Sequence, residues 1–143
     1  MLARRTMGQW KSPTHSQIRA NDKQLFAKGS WGGTFHPYFG PQEGDLVVSE
    51  HFYQSGFANT DLAMQLNQRG LSNIILIGMI ANTCIETTGK YGAEQGFNVT
   101  LVSDAMAAYS LEAQHNAIAV NGPTYAHAIY STEEILARIP QKR

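Results

Sequence analysis

The sequence predicts a three-layer α/β/α protein in which helices cover both faces of a mostly parallel, Rossmann-like sheet. From about residue 44 onward, short runs rich in β-branched residues alternate with stretches of helical periodicity, which is the pattern of repeated βα units. The run 73–79 is almost wholly apolar, as expected of a central parallel strand buried on both faces. The chain has 143 residues, of which 43% are hydrophobic, so we expect one globular domain over residues 1–143.

The predicted elements follow one another in order through a βα core, residues 44–139. Two helices begin with a capping box, in which a hydroxyl residue and a glutamate three positions later bond to each other's backbone amides. These boxes are predicted at Thr83/Glu86 and at Ser131/Glu134. Strands are predicted at 45–48, 73–79, 98–103 and 125–130, and helices at 60–69, from 83 to a stop at Gly96, at 110–120 and at 131–139.

Residues 1–43 form a different, aromatic-rich and irregular segment. Glycines, prolines and polar residues interrupt any sustained period there, so we expect mostly loop, with a turn or short helix within 12–22. Loops that hold several large apolar side chains are usually functional or cover a partner surface, because disordered segments seldom contain them.

Charge and cysteine content exclude several classes of partner. Lys plus Arg and Asp plus Glu number 11 each, without a dense basic run, so the charge pattern expected for binding nucleic acid or an anionic membrane is missing. Apolar runs stay below the roughly 18 residues that span a bilayer, and the first ten residues lack the apolar core of a secretory signal. With a single cysteine, the expected compartment is the reducing cytoplasm, and the expected partner is a small molecule or another protein.

Cys84 is the residue whose position most favours chemistry. It follows the most apolar predicted strand and opens the next helix, and open α/β sheets bind their ligands at this edge. Unpaired N–H groups and the positive end of the helix dipole favour a thiolate there and can hold an oxyanion. The alternative is a buried structural cysteine, because cysteine is among the most buried residue types.

Histidine is the next candidate for a chemical role. Among the five histidines, His51 follows the predicted strand 45–48 and could project toward the same sheet edge as Cys84. The spacing of His, Cys, Asp and Glu does not match a zinc or iron site, and no glycine fingerprint for a dinucleotide follows a strand. We therefore expect neither a metal ion nor an organic cofactor.

Three motifs around Cys84 carry a resemblance to a known family: SGFANTDL at 55–62, GMIANTCIETT at 78–88 and GFNVTLVSDA at 96–105. In this order and spacing they resemble the isochorismatase-like hydrolase superfamily over about residues 44–132. The resemblance implies that Cys84 attacks an amide or related C–N centre and forms a covalent intermediate that water cleaves. It also implies an oxyanion site beside a non-proline cis peptide in the loop Met79-Ile80-Ala81, with the backbone N–H groups of Ile80 and Cys84 as donors.

Two residues that the resemblance implies are missing. The family's catalytic lysine falls within Ser49-Glu50-His51, where His51 or Glu50 would have to replace it. The family's catalytic aspartate belongs to an early strand, and Asp22 lies in a polar run that cannot be a buried strand. We therefore expect an N-terminally shortened version of the fold, whose exposed strand edges favour a homo-oligomer.

The sequence thus predicts a cysteine hydrolase of a small amide-like molecule. Its substrate pocket is predicted to be lined by Trp31, Phe35, Phe52 and Phe57, although these aromatic side chains could equally pack a dimer interface or cover the core. Two other functions stay open: a catalytically inactive family member that serves as an assembly or binding subunit, and a redox-sensing thiol protein. The missing aspartate and lysine favour the first, whereas the lack of a resolving cysteine weakens the second.

Overall fold

The computed structural model describes residues 10–140, which belong to two compact units, Met1–Val47 and Val48–Arg143. Residues 1–9, where no secretory signal was predicted, lie outside the described part, as do residues 141–143. In the first unit, the described residues form one α-helix, α1 (His15–Asp22), and one 3₁₀ turn, Trp31–Gly33. The prediction of a mostly irregular segment with a short helix within 12–22 is confirmed.

The second unit is built on a parallel sheet with flanking helices. Within residues 48–140 the sheet has three strands in the order β1-β2-β3. Leu76, Leu101 and Ile129 lie side by side across it, so the predicted parallel α/β class is confirmed. The elements in chain order are α2 (Leu62–Gln68), β1 (Asn73–Met79), α3 (Glu86–Glu94), β2 (Asn98–Ala107), α4 (Leu111–His115), β3 (Ala128–Tyr130) and α5 (Thr132–Arg138).

The core of this unit is centred on β2. Val99, Leu101 and Val102 are fully buried, as expected for a middle strand covered on both faces. Helix α3 packs closely on the sheet because Gly92 has no side chain: a Cβ there would lie 2.9 Å from Cδ1 of Ile74. This close packing fixes the position of α3, the helix that follows Cys84.

The strand predicted at 45–48 is absent, and β1 is not central. Asp45 instead closes a turn, in which its carboxylate accepts a hydrogen bond of 2.8 Å from the Gln42 amide, and residues 45–50 form neither helix nor strand. In the part of the chain that the structure describes, β1 pairs only with β2. The predicted burial on both faces of β1 is therefore wrong: Ile75, Ile77 and Met79 are 45%, 61% and 67% exposed.

Two later elements also differ from the prediction. The last strand covers only Ala128–Tyr130 rather than 125–130, because the amides of Tyr125 and Ala126 donate to the Gly122 carbonyl of a 3₁₀ turn, at 3.1 and 2.8 Å, rather than to a neighbouring strand. The helix predicted at 110–120 is present, but after α4 it widens into a π-type segment, Asn116–Asn121. The capping box at Ser131/Glu134 is confirmed, and α5 ends at Arg138 before Ile139. Among residues 10–140, no helix combines the length and the apolar character required to cross a membrane.

Candidate active site

Cys84 lies in a tight connection between β1 and α3. The chain leaves β1 through a cis peptide bond between Met79 and Ile80, as the resemblance implied. It then forms a π-type turn, Ala81–Ile85, in which the Ile85 amide donates to the Ile80 carbonyl at 3.2 Å. Ala81 is buried at the start of this turn, whereas Cys84 is half-buried. The thiol therefore sits where the carboxyl end of a parallel strand meets the following helix, as predicted.

The capping box predicted at Thr83/Glu86 does not form. Thr83 lies inside the wide turn, and its hydroxyl donates to the Ile80 carbonyl at 3.4 Å and to the Cys84 sulfur at 3.8 Å. The Glu86 carboxylate turns instead to Lys90 Nζ at 2.6 Å and to Asn121 Nδ2 at 3.1 Å. Glu86 thus ties the beginning of α3 to the segment Asn116–Asn121 rather than capping it.

A loop formed by residues 49–61 is closed at its base by Ser49 and Asp61. The Ser49 amide and hydroxyl both donate to Oδ1 of Asp61, each at 2.7 Å, and Gln65 donates to Oδ2 at 3.0 Å. These hydrogen bonds, led by the one from the Ser49 amide, hold the pKa of the Asp61 carboxyl well below its usual range. The loop that carries Glu50 and His51 is therefore fastened at both ends to one carboxylate.

Replacing Asp61 with asparagine is expected to lower the urea midpoint of unfolding at pH 7. Asparagine can still accept from Ser49, but it loses the negative charge that strengthens these bonds. Because the folded-state pKa of Asp61 is lowered, its contribution is present above the unfolded-state pKa of about 3.9 and is lost as the pH falls through the folded-state pKa. Urea titrations from pH 7 down to strong acid should show the two proteins converging; a constant difference would contradict the assignment to the carboxylate charge.

The same loop lies along helix α3. The Thr87 hydroxyl donates to Oε1 of Gln54 at 3.1 Å, and the Gly56 amide donates to the Thr88 hydroxyl at 2.9 Å. Phe57 is buried, with its ring 5.3 Å from that of Phe97 between centroids. A Cβ on Gly92 would lie 3.2 Å from the Phe57 ring. From Gln54 to Phe57, the loop therefore advances along α3 toward the carboxyl end of the helix.

The loop contacts the first turn of α3, close in sequence to Cys84. Thr87 and Thr88 follow Cys84 by three and four positions, and both belong to α3, which begins directly after the turn that contains Cys84. Nothing in the sequence analysis singled out Gln54, Thr87 or Thr88, although the spacing of the two threonines from Cys84 was available there.

His51 is exposed, and a hydrogen bond within the loop determines which of its ring nitrogens carries the proton. Its Nδ1 lies 2.5 Å from the Tyr53 carbonyl oxygen, and a carbonyl can only accept, so Nδ1 carries the proton in this contact. In the neutral ring, Nε2 is then the basic nitrogen. Glu50, the other predicted replacement for the lysine, is also exposed.

The four predicted pocket aromatics occupy different environments. Phe57 packs in the core against Phe97, whereas Phe52 is exposed in the loop 49–61. Trp31 and Phe35 are exposed in the first unit. A pocket role for these side chains stays a prediction. Among the described residues, no group of three or more His, Cys, Asp or Glu side chains is arranged to hold a metal ion.

A parallel α/β sheet with a half-buried cysteine just beyond a strand's carboxyl end is a ligand-binding arrangement of open α/β folds. A family model, the isochorismatase domain, matches residues 8–133. The chain therefore belongs to the isochorismatase family, and the resemblance drawn from the three motifs is confirmed.

Individual relatives agree with this assignment. Ureidoacrylate amidohydrolase RutB of Methylobacterium radiotolerans is 33% identical over 118 residues, which is 80% of this chain and 45% of that protein. An isochorismatase-like hydrolase from Alkaliphilus metalliredigens has a TM-score of 0.71 and 28% identity, covering 78% of this chain and 62% of that chain. N-carbamoylsarcosine amidase from Thermoplasma acidophilum has a TM-score of 0.64 and 27% identity, covering 84% of this chain and 66% of that chain. The chain spans about half the length of the curated relatives it matches.

Proposed function

We propose that this chain is a cysteine-dependent hydrolase that cleaves a C–N bond next to a carbonyl group in a small molecule. Family membership supports the reaction class, and two of the similar proteins are named as an amidohydrolase and an amidase. The observation that carries the proposal is the loop 49–61, which is bonded through Gln54 and Gly56 to the first turn of α3, three and four residues after Cys84.

In the proposed reaction, Cys84 is the nucleophile and His51 is the base. Nε2 of His51 takes the thiol proton, and the sulfur then attacks the carbonyl carbon. Backbone N–H groups of the turn, from Ile80, Ala81 and Cys84, are proposed to hold the oxyanion. His51 returns the proton to the leaving nitrogen as the C–N bond breaks, and water then hydrolyses the thioester.

Glu50 is proposed as a second acid–base group beside His51. The resemblance implies an aspartate and a lysine in addition to the cysteine, and residues 49–51 contain no lysine. A histidine adjacent to a carboxylate residue can replace part of that function, since histidine takes up and releases protons near neutral pH.

The substitution of Ser49-Glu50-His51 for the family's lysine also favours a second candidate function. In this alternative, the chain is a catalytically inactive family member that acts as an assembly or binding subunit. It predicts that Cys84 binds no substrate covalently, which separates it from the hydrolase proposal.

The deciding experiment is a search for a covalent intermediate. The protein is mixed with a panel of small amides, ureido compounds and N-carbamoyl amino acids, quenched in acid within the first turnovers, and measured by intact-mass spectrometry. We expect an acyl adduct that peptide mapping assigns to Cys84, together with release of the amine. The Cys84→Ala variant should show neither adduct nor turnover. Turnover that persists in this variant would overturn the cysteine mechanism, and a folded wild-type protein without adduct or turnover would favour the inactive subunit.

We also propose that the chain works as a homo-oligomer on a small molecule in the cytoplasm. Unpaired, uncharged strand edges promote association between copies. The exposed apolar side chains of β1, together with the exposed aromatic residues of the first unit, support this part of the proposal.

A further inference from the structure

Gln54 has no role in the mechanism above, yet its side chain is held beside the segment that carries Cys84. The Thr87 hydroxyl donates to Oε1 of Gln54 at 3.1 Å, and Thr87 lies in the first turn of α3, three residues after Cys84. The half-buried Gln54 amide is therefore held against the first turn of α3, directly after the turn that contains Cys84.

The contact with Thr87 also orients the Gln54 amide. Because Oε1 accepts from the Thr87 hydroxyl, the NH₂ group points away from this contact and keeps both of its N–H donors. Among residues 10–140, the structure gives this NH₂ group no hydrogen-bond acceptor. A fixed donor pair without a protein acceptor is suited to binding an oxygen atom of a ligand.

The backbone on both sides of this contact holds Gln54 in place. The Gly56 amide bonds to the Thr88 hydroxyl, and a Cβ on Gly56 would lie only 3.3 Å from the Thr88 side chain. One residue further on, Phe57 is buried in the core. A binding group whose position is fixed before the ligand arrives loses less conformational entropy on binding.

We propose that Gln54 is a substrate-binding residue whose NH₂ group donates to the oxygen of the substrate's amide or ureido group. This inference rests on the proposed function, because it takes Cys84 as the reacting atom. In this arrangement Gln54 adds a side-chain donor to the backbone N–H groups of the turn, and it selects substrates that carry a hydrogen-bond acceptor next to the reacting carbon. Thr87 is the positioning residue that orients it.

Two substitutions distinguish a substrate-binding role of the Gln54 NH₂ group from a purely structural contact with Thr87. Gln54→Glu keeps an oxygen for the Thr87 hydroxyl but has no N–H donors at neutral pH, so it preserves the contact and removes the proposed function. Gln54→Met removes both the oxygen that accepts from Thr87 and the N–H donors, without adding charge. Gln95→Glu, at the exposed carboxyl end of α3, adds the same charge outside the loop 49–61 and serves as the matched control.

The test uses two neutral reagents for the single thiol, Cys84. Iodoacetamide carries a carboxamide oxygen that Gln54 can bind, whereas iodomethane has no hydrogen-bond acceptor of this kind. The ratio of their second-order rate constants cancels any change in the fraction of thiolate. We expect both Gln54 variants to lower the iodoacetamide rate relative to the other reagent by about two- to tenfold, the range of one hydrogen bond. Thr87→Val should produce a smaller decrease, and Gln95→Glu should leave the ratio unchanged.

The outcomes are distinct. A ratio in Gln54→Glu and Gln54→Met that equals the wild-type ratio overturns the inference, and so does an equal slowing of both reagents, which would indicate a structural contact alone. Thermal unfolding identifies variants that do not fold; if Gln54→Met is one of them, Gln54→Glu decides. A folded wild-type protein in which Cys84 reacts with neither reagent would contradict the proposed function itself, and the role of Gln54 would fall with it.

Discussion

The His51→Ala variant is expected to lose amide turnover by about 10²–10⁴-fold, the usual contribution of one general acid–base group. The hydrogen bond from Nδ1 to the Tyr53 carbonyl leaves Nε2 as the basic nitrogen, and the loop that carries His51 is bonded through Gln54 and Gly56 to the first turn of α3, which follows Cys84. The measurement is the steady-state rate on whichever amide of the panel is cleaved, normalised to folded protein.

Two further variants distinguish chemistry from loop structure. His51→Asn retains an N–H that can replace Nδ1 as the donor to Tyr53, but it has no basic nitrogen, so it should be as slow as His51→Ala. His115→Ala changes an exposed histidine of α4 and should turn over at the wild-type rate. Wild-type turnover in His51→Asn would show that His51 only shapes the loop and would leave Glu50 as the remaining candidate base.

Local sequence signals were sufficient for the elements that depend on neighbouring residues or on side-chain type. The Ser131/Glu134 capping box and the start of α5 were predicted correctly, because both depend on residues within one turn. The apolar run of β1 and the β-branched run of β2 were also found, because strand character follows from side-chain type.

Errors arose where long-range contacts decide the structure. Residues 45–48 have the composition of a strand, but a strand needs hydrogen-bonding neighbours, and Asp45 bonds to Gln42 in a local turn instead. The Thr83/Glu86 motif fits a capping box, yet the Glu86 carboxylate forms an ion pair with Lys90 and accepts a hydrogen bond from Asn121, which is distant in the sequence. The residues around Glu86 in the sequence do not indicate that Asn121 lies close to it in the fold. The sequence therefore could not show that Asn121 competes with the Thr83 amide for the Glu86 carboxylate.

The sequence predicted the position of Cys84 in the fold but not the surroundings of the candidate active site. Cys84 could be placed at a strand's carboxyl end from the run 73–79 alone. The arrangement of the loop 49–61 along α3 depends on bonds between residues more than thirty positions apart, from Gln54 to Thr87 and from Gly56 to Thr88. Phe57, predicted to line a pocket, is buried against Phe97 because the loop turns inward there.

The Leu101→Ala variant is expected to lose about 2–5 kcal/mol of unfolding free energy, the usual cost of removing a large buried aliphatic side chain. Leu101 is 0% exposed and lies between Leu76 of β1 and Ile129 of β3. A Cβ on Gly122 would lie 3.3 Å from Cδ1 of Leu101, so backbone as well as side chains surrounds the leucine. Since the unfolding free energy of small proteins is about 5–15 kcal/mol, this single substitution removes a large part of the stability.

Urea unfolding followed by circular dichroism measures this loss, provided that the slope of the transition stays constant. Leu111→Ala is the matched control, because Leu111 lies in α4 with its side chain 85% exposed, and its expected change is within about 0.5 kcal/mol. The Leu101 cavity should also weaken the sheet beneath the turn that holds Cys84, because Leu101 is the direct neighbour of Leu76. Cys84 should therefore become reactive toward thiol reagents at lower urea concentration in Leu101→Ala than in Leu111→Ala. Equal stability of the two variants would mean that β2 is not the centre of the core.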